Sequence, residues 1–173
     1  MGTRVSAVDI LLIRHAEALE RSAPVEDAHR PLTERGRRKA LKLGKQLRDI
    51  DVKLDAIVFS PYVRAVQTAE LVATGLHFDE ALDVAPELVP HSNAVAVIRE
   101  VLIPRAELET IALVGHEPLL GDLLRRLLRA EAPSPSKCSA IRLSWDGPES
   151  PARFHWALKP GMDAPAPSLS IFE

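Results

Sequence analysis

Residues 8–15 of the chain have the sequence VDILLIRH, an apolar run that ends directly in an arginine and a histidine. A second apolar run, TIALV at residues 110–114, ends in a glycine and a histidine. Apolar runs of this length, bounded by polar residues, are typical of buried strands. Ligands of an open α/β sheet bind outside the carboxyl ends of its strands. The two runs therefore predict a site that contains His15 and His116.

The size and composition of the chain indicate one globular domain. The chain has 173 residues, of which 46% are hydrophobic, and we expect residues 1–173 to form a single domain with a coil tail over residues 160–173. The net charge is −2 and only 4% of the residues are aromatic. Neither value favours a nucleic-acid partner, because such proteins usually carry a basic surface or aromatic stacking platforms.

The cysteine content and the hydropathy pattern favour a cytoplasmic location. Cys138 is the only cysteine, so no intrachain disulfide can form, as is usual in a reducing compartment. The sequence contains no secretory signal pattern and no apolar window long enough to cross a membrane. It also lacks a cluster of cysteines and histidines with metal-ligand spacing. We therefore expect a cytoplasmic protein with neither a membrane partner nor a metal site.

Alternating strand and helix patterns predict an α/β fold, a three-layer α/β/α sandwich around a mostly parallel sheet. The predicted strands lie at residues 8–13, 56–59, 110–114, 139–145 and 152–158, with a short one within 78–84 and a hairpin between the last two. The predicted helices lie at about residues 34–49, 61–74, 93–102 and 118–130. Thr33 and Ser60 are the expected N-caps of the first two helices.

Residues 16–32 form a long predicted loop that contains Pro24 and Pro31. Loops of this length without secondary structure are uncommon in compact domains, and they often have a functional role. The loop follows His15 directly. We therefore expect it to contribute to the site.

Basic side chains occur at three predicted strand-to-helix junctions, which hold Arg14 with His15, Arg64, and His116. A helix N-terminus by itself stabilises an anion by only about 0.3–1 kcal/mol. Arginine can donate two charge-assisted hydrogen bonds to one phosphate. We therefore expect Arg14 and Arg64 to supply most of the binding of a phosphate group.

The two histidines suit phosphoryl transfer. A neutral imidazole is a competent nucleophile near pH 7, so His15 is expected to attack phosphorus and to carry the group as phosphohistidine. His116 would stabilise the charge that develops on the phosphate oxygens, and water would then release the group. Because arginine and histidine supply the positive charge, we expect no metal and no other cofactor.

Four segments of the sequence resemble the motifs of the histidine phosphatase superfamily, also called the phosphoglycerate mutase-like fold. They are LIRHAE at residues 12–17, RPLTERG at 30–36, SPYVRAVQTA at 60–69 and VGHEP at 114–118. Ala16 stands where the family commonly has glycine. The resemblance extends in the family's order from residue 8 to about residue 122.

The resemblance implies a phosphoglycerate mutase-like fold and a role for each matched residue. His15 is implied as the nucleophile that is transiently phosphorylated, and Arg14, Arg64 and His116 as the phosphate pocket. Arg30 precedes the PLT segment, as in the short members of the family. Two interpretations of Arg30 are open: it reaches the phosphate pocket, or it is an exposed cation of the loop.

The segment after the third strand points to a subfamily. Residues 85–91, APELVPH, are short and lack the glutamate-rich insert of the mutases. This segment and the closing WALKP at residues 156–160 resemble the SixA-type phosphohistidine phosphatases, which implies a phosphorylated protein partner. A general acid is worth about 10²–10⁴-fold, and an imidazole leaving group needs it less than an alkoxide does. Glu87 is the candidate acid, unless it only caps a turn or faces solvent.

Two other functions remain possible at this stage. One is a phosphatase of small phosphomonoesters, and the other is a phosphate-binding module without catalysis. Helix 34–49 also carries seven lysines and arginines against Glu34 and Asp49. This basic face is either a docking surface for an acidic partner or a solvated surface.

Overall fold

The computed structural model describes residues 7–21 and 24–173. The N-terminal residues 1–6 and residues 22–23 of the predicted loop lie outside this range. One sheet has the strand order β3-β2-β4-β1-β5-β6. Its strands are β1 (Val8–Arg14), β2 (Ala56–Phe59), β3 (Leu82–Val84), β4 (Thr110–Gly115), β5 (Ala140–Trp145) and β6 (Arg153–Leu158).

The sheet is mostly parallel, as predicted. Strands β3, β2, β4 and β1 run parallel to one another, whereas β5 pairs antiparallel with both β1 and β6. The α-helices are α1 (Glu34–Asp49), α2 (Val63–Leu76), α3 (Ala94–Val97) and α4 (Leu119–Leu128). The antiparallel β5–β6 pair confirms the predicted hairpin.

Burial on both faces of β1 explains its continuous apolar sequence. Leu11 and Ile13 belong to a core cluster with residues of α1 and α2, whereas Ile10 and Leu12 belong to a second cluster with residues of α4. All four side chains are fully buried. Successive residues of a strand point to opposite faces, so a strand covered by helices on both sides must be apolar throughout. The three-layer arrangement is thereby confirmed.

The start of α2 corrects one predicted cap. Thr33 accepts a hydrogen bond from the backbone N–H of Gly36, 2.9 Å away, and caps α1 as predicted. Ser60 was expected to cap α2, but this was wrong, because the N-cap is Tyr62 and the helix begins at Val63. The Ser60 hydroxyl lies 2.8 Å from His116 Nε2 instead, which places it in the site.

Two other predicted segments differ from the structure. The loop at residues 16–32 is not structureless, because Ala18 forms an antiparallel bridge with Leu32 and residues Asp27–His29 form a 3-10 turn. The predicted helix 93–102 is α-helical only in α3. It continues as a π-helical turn (Ile98–Leu102) and a 3-10 turn (Ile103–Arg105), beyond the predicted end at residue 102.

The C-terminal segment is anchored to the sheet. Ala166 forms an antiparallel bridge with Ala157 of β6, and residues Leu169–Phe172 form a 3-10 turn. Ile171 and Phe172 pack against the core cluster that contains α4. The segment therefore covers one face of the sheet, although it contributes no strand to it.

Helices α1 and α2 cross with their backbones in direct contact. A Cβ added at Gly75 would lie 2.5 Å from the carbonyl oxygen of Leu41. A Cβ added at Gly44 would overlap the carbonyl oxygen of Val72. Both obstacles are backbone atoms, which cannot move away as a flexible side chain can. The two glycines therefore let α1 and α2 pack closely enough for both helices to cover this face of the sheet.

We predict that Gly44→Ala destabilises the protein by about 3 kcal/mol, because the added methyl group forces the two helices apart. Urea denaturation followed by circular dichroism measures the change. The exposed Lys45→Ala variant in the same helix is the control, with an expected change within about 0.5 kcal/mol. Equal stability of the two variants would show that the helix crossing tolerates a side chain.

Candidate active site

Parallel pairing of β1 with β4 brings the two predicted histidines together. Arg14 of β1 is in register with Gly115 of β4, and the backbone N–H of His15 donates to the carbonyl oxygen of Gly115 at 3.0 Å. His15 follows Arg14 and His116 follows Gly115, so the two histidines leave the sheet side by side. Their ring centroids lie 5.0 Å apart. Strand β2 is the other neighbour of β4, and it delivers Ser60 to the same edge.

His15 is held as a neutral ring with one tautomer. Its Nδ1 lies 2.7 Å from the carbonyl oxygen of Ala16, an acceptor, so Nδ1 carries the proton and Nε2 carries the lone pair. Burial, together with the charges of Arg64 and Arg14, lowers the pKa of His15 to about 3. The ring therefore presents an unprotonated nitrogen at neutral pH, as a nucleophile requires.

His116 is also neutral and has one unused ring nitrogen. Its Nε2 lies 2.8 Å from the Ser60 hydroxyl, whereas its buried Nδ1 has no hydrogen-bond partner among the described residues. Burial, and then the neighbouring His15 and Arg64, lower the pKa of His116 to about 2. Protonation of His116 near neutral pH would therefore need a bound anion, whose negative charge would raise this pKa.

Arg64 approaches the nucleophile directly. Its Nε donates to His15 Nε2 at 3.3 Å, and its side chain is almost fully buried. Its two other nitrogens donate to Asp27, one to the backbone oxygen at 2.6 Å and one to the carboxylate at 3.1 Å. The guanidinium also lies 5.0 Å from the ring centroid of Tyr62, which is a cation–π distance.

Arg14 supplies a second cation, which is partly buried. Its Nη1 donates to the carbonyl oxygen of Pro135 at 2.9 Å, while its buried Nε has no partner in the described part of the chain. A buried polar group without a partner costs about 1–3 kcal/mol. Arg14 Nε and His116 Nδ1 are both in this condition, and a phosphate oxygen could accept from either N–H. The edge of the sheet is therefore polarised to receive an oxyanion.

Arg30 lies beside this cluster rather than in it. Its side chain is only 18% exposed, and its Nε donates to Asp27 at 2.8 Å. Because Asp27 also accepts from Arg64, one carboxylate connects the two arginines. Direct binding of phosphate by Arg30 stays a prediction.

Glu87 lies in a 3-10 turn (Pro86–Leu88) next to the end of β4. The carbonyl oxygen of the adjacent Leu88 lies 3.6 Å from the position of a Cβ added at Gly115, the residue before His116. The Glu87 side chain is half-buried and forms no ion pair with any residue that the structure describes. Its proposed role as a proton donor stays a prediction.

A second glutamate lies closer to the histidines in sequence. Glu117 accepts a hydrogen bond from the backbone N–H of Gly121 at 2.9 Å, in the first turn of α4. Burial raises the pKa of Glu117, although Ser134 and Arg14 partly oppose the shift. Its carboxyl group therefore contacts the first turn of α4, and its charge interacts with that of Arg14 in the pocket.

Asp27 was not predicted as a site residue from the sequence, and neither were the contacts of Ser60 and Tyr62 with His116. The Tyr62 ring packs edge-on against His116, with a centroid distance of 5.1 Å. The SPYVR segment contained a signal for Ser60 and Tyr62, but the serine was interpreted as a helix cap. Asp27 had no local signal, because its partners lie elsewhere in the loop and in α2.

No group of three or more His, Cys, Asp or Glu side chains within residues 7–21 and 24–173 is arranged to hold a metal ion. None of the helices in this part of the chain has the length and apolar character that a bilayer-spanning segment needs.

Residues 10–89 match the model of the histidine phosphatase superfamily, branch 1. The chain is 27% identical over 155 residues to the phosphohistidine phosphatase SixA of Escherichia coli strain K12, covering 88% of this chain and 94% of that protein. It is 29% identical over 159 residues to the SixA homolog of Haemophilus influenzae, covering 87% and 96%. A solved structure of the protein histidine phosphatase SixA with tungstate superposes with a TM-score of 0.80 at 24% identity, covering 88% and 97%.

We predict that the two buried histidines make the protein less stable in acid. The unfolded chain binds protons at histidine below about pH 6.5, whereas the folded rings stay neutral to about pH 3 for His15 and about pH 2 for His116. The two histidines therefore do not reduce the free energy of unfolding above pH 6.5, and they reduce it increasingly as the pH falls. Each ring contributes up to about 1.4 kcal/mol per pH unit. Urea denaturation at pH 7, 6 and 5 measures the slope.

The variant His116→Gln is expected to show a shallower loss of stability between pH 7 and pH 5, because one proton-binding difference is removed. The exposed His91→Gln is the control and should keep the slope of the unmodified protein. Identical slopes for all three proteins would mean that His116 is protonated in the folded state.

Proposed function

Because the chain is a phosphatase of the histidine phosphatase superfamily, we propose that it removes the phosphoryl group from phosphohistidine on a partner protein. The observation that carries this proposal is the pairing of a neutral, tautomer-fixed His15 with buried cations at one sheet edge. The two relatives described above match over nearly their whole length and are named as phosphohistidine phosphatases. A non-catalytic module would not need an unprotonated nucleophile.

The reaction has two steps at phosphorus. The Nε2 lone pair of His15 forms a bond to phosphorus while the bond from phosphorus to the substrate imidazole breaks. The departing imidazole keeps the electron pair and takes up a proton. Water then attacks phosphorus, the bond to His15 breaks, and inorganic phosphate leaves.

The pocket would stabilise the transferring group in both steps. Negative charge spreads over three equatorial oxygens during the transfer. Arg14 Nε and His116 Nδ1 have no other acceptor among the described residues, and Arg64 has N–H groups beyond those that it already uses. Preorganised donors of this kind need no reorganisation as the charge develops. The same cations make a metal unnecessary, and metal independence is part of the proposal.

The leaving group favours phosphohistidine over a phosphate ester. Glu87 is the candidate acid, and it lies on a turn rather than within the cluster of histidines and arginines. An alkoxide leaving group depends on a general acid by about 10²–10⁴-fold, whereas an imidazole can leave with less help. A site without a closely held acid therefore suits a nitrogen-linked phosphoryl group.

Helix α1 supports a protein substrate. Its N-terminus packs against the segment that follows the nucleophile, since the backbone N–H of Thr33 donates to the carbonyl oxygen of Glu17 at 2.9 Å. The exposed cations of this helix therefore begin next to the pocket with Arg35, which pairs with Glu17, and they continue along the helix to Lys45. An acidic surface around a phosphohistidine would be attracted to this face.

A phosphatase of small phosphomonoesters is the second candidate. It is favoured by the half-buried Glu87 carboxyl, which has no ion-pair partner within the described residues. In that case Glu87 would protonate the ester oxygen as it leaves.

Labelling of the protein by a radioactive phosphoryl donor tests the covalent step. After rapid quench, we expect a label on the protein that is stable to base and labile to acid, as a phosphorus–nitrogen bond is. The label should disappear in His15→Ala and persist in His29→Ala, which alters an exposed histidine of the loop. Failure of the unmodified protein to become labelled would contradict the proposed intermediate.

Substrate competition separates the two candidate functions. We expect a phosphohistidine protein to be turned over faster than sugar or nucleotide phosphates, and Glu87→Gln to change that rate less than 10-fold. A loss of about 10²–10⁴-fold in Glu87→Gln on a preferred small ester would favour the second function. Turnover should be unchanged by a chelator, and restoration by added metal after a chelator-induced loss would contradict metal independence.

A further inference from the structure

The Asp27 carboxylate joins the loop that follows β1 to the phosphate pocket. Its Oδ1 accepts hydrogen bonds from Arg30 Nε at 2.8 Å and from Arg21 Nε at 3.2 Å. Its Oδ2 accepts from Arg64 at 3.1 Å, and its backbone oxygen accepts from Arg64 at 2.6 Å. Asp27 therefore connects two arginines of the loop with Arg64 of α2.

The loop side of this bridge is anchored. Arg30 also donates to the carbonyl oxygen of Leu19 at 2.6 Å, and the backbone N–H of Leu19 donates to the carbonyl oxygen of Pro31 at 2.9 Å. Arg30 is 18% exposed, whereas Arg21 is 76% exposed. An exposed ion pair contributes little, so Arg30 rather than Arg21 is the arginine that holds the carboxylate.

The pocket side of the bridge ends at the nucleophile. The N–H groups of a guanidinium lie in one rigid plane, so two contacts with Asp27 fix the direction of the others. The Nε of Arg64 is directed at His15 Nε2, 3.3 Å away. A continuous series of polar contacts therefore runs from Arg30 through Asp27 and Arg64 to His15.

We infer that Asp27 is a positioning residue that orients Arg64 for phosphoryl transfer, and that Arg30 acts on the pocket through Asp27. The inference rests on the proposed function, because the reaction is what the orientation of Arg64 serves. When a phosphoryl group binds in front of His15 Nε2, one of its oxygens would replace that nitrogen as the acceptor of the Arg64 Nε–H, while the guanidinium keeps its direction. The contacts with Asp27 are the ones that can persist during this change.

The charge of Asp27 also permits two arginines to lie near each other. Burial would raise the pKa of Asp27, but hydrogen bonds from Arg21 and Arg30 and the charge of Arg64 hold it well below its usual range. The carboxyl group therefore stays ionised at neutral pH and offsets the repulsion between Arg30 and Arg64. It has no proton to donate, which leaves orientation as its contribution.

Single-turnover formation of the phosphoenzyme from phosphoramidate, followed by rapid quench, tests the inference. We expect Asp27→Asn to lower the maximal rate by about 10- to 100-fold, because misplacement by about 1 Å can cost 100-fold. The half-saturating donor concentration should change less than 3-fold, since Arg14 and His116 remain. The control is Glu26→Gln, which alters a neighbouring carboxylate that is 78% exposed, and its rate should equal that of the unmodified protein.

A double-mutant cycle tests whether Arg30 acts through Asp27. We expect Arg30→Gln to slow phosphoenzyme formation, and the double variant to be no slower than the slower single variant. Multiplication of the two losses would instead mean that Arg30 contacts the phosphoryl group independently, and it would overturn that part of the inference. Thermal unfolding of each variant identifies any loss that comes from the fold.

Two other results would overturn the role of Asp27. A faster rate in Asp27→Asn would mean that the carboxylate competes with phosphate for Arg64, and an unchanged rate would mean that Arg64 needs no orientation. Failure of the unmodified protein to form a phosphoenzyme would instead remove the proposed function itself, and this inference with it. The unmodified protein and the variant therefore distinguish the two failures.

Discussion

The site depends on the parallel pairing of β1 with β4. In this register Arg14 lies beside Gly115, so that His15 and His116 leave the sheet at the same level. A slip of one residue would reverse the faces of every side chain in β1 and separate the rings. The core enforces the register, because both faces of the strand are covered by helices and each apolar side chain has one place to pack.

Burial at this edge creates the chemistry of the pocket. It keeps both imidazoles unprotonated, and the adjacent arginine charges act in the same direction. The same burial leaves two polar atoms without partners among the described residues. The unpartnered atoms, and in acid the neutral buried rings, lower the stability of the free protein. An anion bound in the pocket would accept hydrogen bonds from these groups and recover part of that stability. Sites that violate local rules of polar satisfaction are commonly functional, and this edge fits that pattern.

The loop between β1 and α1 shows how non-local contacts order a segment whose described residues form no long helix or strand. Its prolines and polar residues correctly predicted the absence of a long helix or strand. Its order comes from the Ala18–Leu32 bridge and from the contacts of Asp27 with arginines. Gly36 adds a close packing of α1 against the loop, because a Cβ there would overlap the carbonyl oxygen of Glu17. None of these contacts follows from a periodic pattern of residues, so the sequence alone does not predict them.

The amino-acid sequence by itself determined the strand and helix order, the largely parallel sheet, and the four segments that resemble the superfamily. These follow from hydrophobic periodicity and short motifs, which are local properties of the chain. Even so, the serine of SPYVR was interpreted as a helix cap, because a hydroxyl before a proline has the same local pattern in either role. Only the tertiary structure placed Ser60 on His116, joined Arg30 to Arg64 through Asp27, and determined which ring nitrogens are free. Those relations join residues far apart in the chain, and burial and hydrogen-bond geometry exist only after the strands have packed.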